Sequence, residues 1–166
     1  MRYRPPSAPS SNLLTRGGYD RLKSELDQLW RVRRPEVVIA LAAAAAEGDR
    51  SENAEYTARK KELAGIDRRV RYLTRRLGEV RVVDQAPANR NAVFFGALVE
   101  LEFNGADVRW HRLVGPDEVE FHARNISVDS PLARALLKRQ MDEEVEFEAP
   151  GGRQQVAILA IRYDND

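Results

Sequence analysis

Residues 56–80 read YTARKKELAGIDRRVRYLTRRLGEV. Within them Leu63, Ile66, Val70, Leu73, Leu77 and Val80 step by alternating threes and fours, the a/d spacing of a coiled-coil helix. Upstream, Tyr19, Leu22, Leu26 and Leu29 repeat at helical spacing behind Thr15, a suitable N-cap. Pro35 interrupts that run and should kink the helix or open a second segment at its first turn, because its ring removes a backbone donor. Val37, Val38, Leu41 and the alanines to Ala46 carry the apolar face onward with side chains small enough for close helix approach. Between the two runs lies Gly48-Asp49-Arg50-Ser51-Glu52-Asn53, rich in turn and capping residues. Two long helices joined by a short turn pack as antiparallel neighbours. Residues 15–84 therefore read as an antiparallel coiled-coil hairpin.

The period changes further along. Residues 1–14 (MRYRPPSAPSSNLL) offer little to bury and read as a disordered extension. Residues 85–93 (QAPANRNAV) read as a linker. Beyond it, Ala97–Phe103, Val108–Val114, Glu144–Glu148 and Gln155–Tyr163 alternate as strands, with Gly151-Gly152 as a hairpin turn. One helix, Pro131 to Arg139, opens behind Ser130 as its cap. Residues 94–166 thus form a small β-rich domain with one helix, and the whole chain is α+β.

Composition narrows the chemistry. The 166 residues contain no cysteine and two histidines, which excludes disulfides, thiolate metal sites and Cys nucleophiles, and leaves no His-rich metal site. No apolar stretch is long enough to span a membrane, and the N-terminus has no apolar signal core, so a cytoplasmic location is expected. The net charge of +1 hides a division. Residues 1–93 hold 19 Lys/Arg against 12 Asp/Glu, a net of +7, whereas residues 94–166 hold 8 against 14, a net of −6. Halves of opposite sign fit different partners, and the basic half fits nucleic acid.

The cations concentrate on the returning helix, as Arg59, Lys60, Lys61, Arg68, Arg69, Arg71, Arg75 and Arg76. They fall between the a/d positions and so project away from the seam. Such a strip suits a phosphodiester backbone, bound without regard to sequence and weakened by salt. A plain solvated coiled-coil face is the alternative. Asp49 and Glu52, three apart at the hairpin tip, have the spacing of a capping box. The same pair could instead be carried into another protein's active site to hold a divalent cation. Spacing alone leaves both open. Trp30, Trp110, Phe94 and Phe95 read as core or interdomain packing, and His111 as an exposed strand residue. Gly151-Gly152 lacks the Lys-Ser/Thr of a phosphate loop.

Several stretches together resemble the Gre transcript-cleavage factors of bacterial RNA polymerase, and their GreB branch most. They include Thr15-Arg16-Gly17-Gly18-Tyr19-Asp20-Arg21-Leu22, Gly48-Asp49-Arg50-Ser51-Glu52-Asn53-Ala54-Glu55-Tyr56 and Ile126-Ser127-Val128-Asp129-Ser130-Pro131-Leu132-Ala133-Arg134. Arg33-Arg34-Pro35-Glu36, Ile66–Thr74 and Val93–Ala97 complete the set. The resemblance implies an N-terminal coiled-coil hairpin and an FKBP-like C-terminal domain. It also implies a non-enzymatic factor, monomeric when free, that docks on the rim of the polymerase secondary channel through Asp129, Ser130 and Pro131. The hairpin would enter that channel, where Asp49 and Glu52 would help hold a second Mg²⁺ shared with the polymerase and bring about cleavage of the backtracked RNA 3′ end. The basic strip would then contact that RNA. A Gre-like inhibitor of the same channel and a generic nucleic-acid-binding coiled coil are the competing expectations. A prolyl isomerase activity has only the FKBP-like fold in its favour.

Overall fold

The computed structural model describes residues 10–47 and 53–163. They divide into two compact units, residues 17–80 and a second made of residues up to Arg16 together with those from Arg81 onward.

The first unit is the hairpin. Helix α1 (Arg16–Gln28) passes through a π-helical turn (Leu29–Arg33) into α2 (Arg34–Ala45), and α3 (Ala54–Glu79) returns alongside. The π turn answers the expectation at Pro35. The Arg34 amide reaches back five residues to the Leu29 carbonyl, and the extra residue lets the helix continue although Pro35 has no N–H to give. Leu22, Val37, Ala44, Ile66 and Leu73 are buried, and Ala44 is among the small residues read as permitting close approach. Cross-strut ion pairs fix the antiparallel register. The Arg33 guanidinium bonds Glu62, Arg34 Nε lies 2.8 Å from Asp67, and Arg69 Nε lies 2.6 Å from Glu25. Trp30 does not pack as expected. It is 55% exposed, with the Arg34 guanidinium 5.4 Å from its ring centroid. Val38 is exposed as well, because it lies about 100° round α2 from the buried Val37.

The second unit holds a mixed five-stranded sheet in the order β5-β4-β3-β7-β6, formed by β3 (Leu98–Phe103), β4 (Asp107–Val114), β5 (Asn125–Ser127), β6 (Glu144–Ala149) and β7 (Gly152–Arg162). Only β4 and β5 run parallel. Helix α4 (Pro131–Leu136) brings Leu132, Ala133 and Leu136 to a core shared with Val99, Leu101, Leu113, Val156 and Ile158. Ser130 caps α4 as expected, accepting from the Ala133 amide at 3.2 Å. The helix stops at Leu136 instead of Arg139, because Leu137 leaves helical geometry at ψ 132° and Lys138 follows in the left-handed region at φ 69°. His111 is half-buried where exposure was expected. Its Nδ1 lies 3.1 Å from the Arg124 carbonyl, and its ring meets Phe103 edge-on at 5.9 Å.

The residues just before the hairpin depart most from the sequence reading. Leu13–Thr15, whose leucines were read as part of a disordered extension, forms strand β1 and pairs in parallel with β2 (Arg81–Val83). Leu14 is fully buried. A parallel partner 68 positions away (Leu14 opposite Val82) leaves no local signal in the sequence. Among the described residues, no helix is long and apolar enough to cross a membrane.

Candidate functional site

Among the described residues, Asn53 ties the two helices together at the hairpin's far end. Asn53 is the N-cap of α3, with its Oδ1 accepting from the Tyr56 amide at 3.0 Å. Its Nδ2 donates to the Ala44 carbonyl of α2 at 2.7 Å. An amide has one accepting and one donating end, and these two partners use both. The capping-box reading gave the N-cap of α3 to Asp49; Asn53 fills it, so no carboxylate is required there. Asp49 and Glu52 themselves lie outside the described residues. Five residues connect Glu47 to Asn53, and both acids belong to that connection.

The eight cations read as a single strip sort into two sets. At about 100° per residue, Lys60, Lys61, Arg68, Arg71 and Arg75 fall within an arc of about 100° of α3, on the side away from Ile66 and Leu73. All five are exposed, and none makes an ion pair among the described residues. Arg59, Arg69 and Arg76 are engaged elsewhere. Arg59 bonds Glu55 and Glu62, which raises its pKa, the Glu55 hydrogen bond acting most strongly. Arg69 makes two bonds to Glu25, at 2.6 and 3.0 Å. Arg76 is buried. The Glu62 carboxyl is held below the usual carboxylate range, first by its hydrogen bond from Arg33. Pairing therefore neutralises more of α3 than its sequence implied: Arg59 bonds Glu55 and Glu62 within the helix, and Arg69 bonds Glu25 across the hairpin. What remains is five cations with one bearing.

In the second unit, Asp129, Ser130 and Pro131 are placed at the start of α4. Pro131 is exposed in the first helical turn. The Ser130 hydroxyl is used by the cap, and its amide donates to the Ser127 carbonyl at 2.9 Å. Asp129 Oδ2 accepts from the Ser11 amide at 2.8 Å, a contact that sequence reasoning missed because it joins residues 118 apart. Among the described residues, no group of three or more His, Asp or Glu side chains could hold a metal ion.

The chain matches two family models. The model for the N-terminal region of transcription elongation factors covers residues 12–82, and that for the GreA/GreB C-terminal region covers residues 87–163. The chain belongs to the GreA/GreB family of transcription elongation factors. Its similarity to members of this family extends over nearly the full length. It is 60% identical over 163 residues to the transcription elongation factor GreB of Xanthomonas axonopodis pv. citri, spanning 98% of this chain and 97% of that one. The GreB of Pseudomonas aeruginosa is 48% identical over 162 residues, spanning 98% and 96%. That of Vibrio vulnificus is 49% identical over 155 residues, spanning 93% and 97%. The resemblance drawn from the tip and Ser-Pro-Leu-Ala motifs is confirmed, as is the α+β division into a helical hairpin and a β-rich domain. In this GreA/GreB chain the N-terminal model starts at Asn12, so the family region includes β1 as well as the hairpin.

Proposed function

We propose that this elongation factor makes bacterial RNA polymerase cleave a backtracked RNA 3′ end, entering the secondary channel hairpin first and supplying carboxylates that the polymerase lacks. One observation carries the reading. Helix α3 presents five exposed cations within an arc of about 100°, none in an ion pair among the described residues, and in the sequence it follows the Asp49-x-x-Glu52 pair by one residue, so a polyanion-binding face and two acids adjoin along the chain.

Each part of the chain has a task. Lys60, Lys61, Arg68, Arg71 and Arg75 line the extruded RNA and neutralise its phosphates. Asp49 and Glu52 offer only oxygen donors, which suits Mg²⁺, but two carboxylates are too few without the polymerase's own ligands and water. Asp49 and Glu52 would hold Mg²⁺ there together with the polymerase's ligands, and the ion would supply charge stabilisation for phosphodiester hydrolysis. The carboxylates also accept hydrogen bonds from the attacking water and orient it. Asp129, Ser130 and Pro131 seat the second unit on the channel rim. The factor acts as a monomer in the cytoplasm and forms no covalent bond, so the hydrolysis remains the polymerase's.

The test is a halted, backtracked polymerase complex carrying 3′-labelled RNA and Mg²⁺, mixed with the parent chain or with Asp49→Ala/Glu52→Ala. Rapid release of short 3′ fragments by the parent alone is expected, with the double variant slower by about a hundredfold or more. Slowed elongation without release would instead identify an inhibitor of the channel. Salt-sensitive binding of free RNA with no effect on polymerase would identify a generic nucleic-acid binder.

A further inference from the structure

We infer that Asn53 is a positioning residue for transcript cleavage, acting through the hydrogen bond by which it ties the start of α3 to the end of α2. The inference rests on the function proposed above and extends it to a residue with no direct part in the chemistry.

The geometry is specific to the amide. Oδ1 accepts from Tyr56 N at 3.0 Å and so caps α3, while Nδ2 donates to the Ala44 carbonyl at 2.7 Å. The Asn53 carbonyl also begins the helical ladder, accepting from Thr57 N at 3.1 Å. Ala44 is itself buried in the seam, so the tie runs to a fixed point and not to a frayed end. The connection bearing Asp49 and Glu52 is attached immediately before Asn53 and three residues after Ala44. Asn53 therefore sets how far apart the roots of that connection stand. Two carboxylates that must meet a metal held by another protein gain little from affinity and much from such placement, since a displacement of about 1 Å can cost as much as a hundredfold in rate.

Other residues can perform half of the task. Serine caps a helix nearly as well as asparagine but is too short to reach α2. Aspartate caps and reaches, but when ionised it has no hydrogen to donate to a carbonyl. The cap and the tie can therefore be separated by substitution.

The experiment uses the full chain with the backtracked complex above, comparing the parent, Asn53→Ser and Asn53→Asp. For each, single-turnover cleavage is measured at saturating factor, together with the factor concentration giving half-maximal rate, the Mg²⁺ dependence and the far-ultraviolet helical signal. Both variants should cleave about tenfold more slowly at saturation and need more Mg²⁺, with unchanged helical signal and unchanged half-maximal concentration. Parent-like cleavage by Asn53→Ser would overturn the inference. So would a loss matched by weaker polymerase binding or lower helicity, which would reduce Asn53 to a structural cap. If the parent itself releases no RNA, the proposed function fails, and this role fails with it.

Discussion

Glu118 and Thr15 stand 103 positions apart in the chain, yet the Thr15 amide donates to the Glu118 carboxylate at 3.0 Å and the Thr15 hydroxyl bonds its other oxygen. The Gly115 amide donates to the same carboxylate at 2.9 Å, and Glu118 is only 2% exposed. No cation accompanies this buried acid in those bonds; three donors hold it. Glu118→Ala should therefore leave three polar groups without their acceptor and cost about 3 kcal/mol. Glu118→Gln keeps one oxygen for the two amides and lets its NH₂ donate to the Thr15 hydroxyl, so about 1 kcal/mol is expected. Denaturant unfolding of the two variants checks the order.

Gly115 offers a steric test of the same joint. Its φ of −67° suits any residue, but a Cβ there would lie 2.0 Å from the Leu13 carbonyl oxygen. Gly115→Ala should cost about 2 kcal/mol by overpacking. Its amide-exchange signature should be loss of protection at Leu13–Thr15, with α3 unaffected.

The two sets of cations on α3 should separate by salt. Binding to single-stranded RNA by the Arg68→Gln/Arg71→Gln/Arg75→Gln variant should show a log affinity against log salt slope shallower by about 2. Arg69→Gln should leave the slope nearly unchanged, because that guanidinium is committed to Glu25. Fluorescence anisotropy at several salt concentrations reads both.

His111 predicts a pH effect on stability. Partial burial lowers its pKa below 6.5, outweighing the opposing hydrogen bond to the Arg124 carbonyl. The unfolded chain therefore binds the proton more readily than the folded one. The resulting stability is fully present above about pH 6.5 and declines as the pH falls through the lower folded value. Thermal midpoints at pH 7.5 and 5.5 should differ less in His111→Gln than in the parent, since the variant has lost that proton site.

How much was legible depended on distance along the chain. Leu63, Ile66, Val70, Leu73 and Leu77 announced α3 because a helix buries neighbours three and four apart, and Ile66 and Leu73 are indeed buried. Ser130 before Pro131 announced α4 for the same local reason. The π turn was half legible, since Pro35 marked the interruption but not its remedy. What escaped was held by remote partners: β1 against β2, Ser11 on Asp129, Arg69 on Glu25. At the tip the motif offered several capping residues, and only the approach of α2 to within reach of Asn53 selected one of them.

The parallel pairing of β1 with β2 also bears on ancestry and engineering. Parallel neighbours cannot be joined by a tight turn and need a long crossover, and here the crossover is the entire helical hairpin. The hairpin is thus an insert within a host domain whose sequence resumes at Arg81. Chimaeras that exchange one factor's hairpin for another's should be joined beside Arg16 and Val80, leaving both strands with the host. During synthesis, Thr15 has to wait for Glu118 to emerge before its hydrogen bonds to that carboxylate can form, whereas the hairpin has everything it needs much earlier.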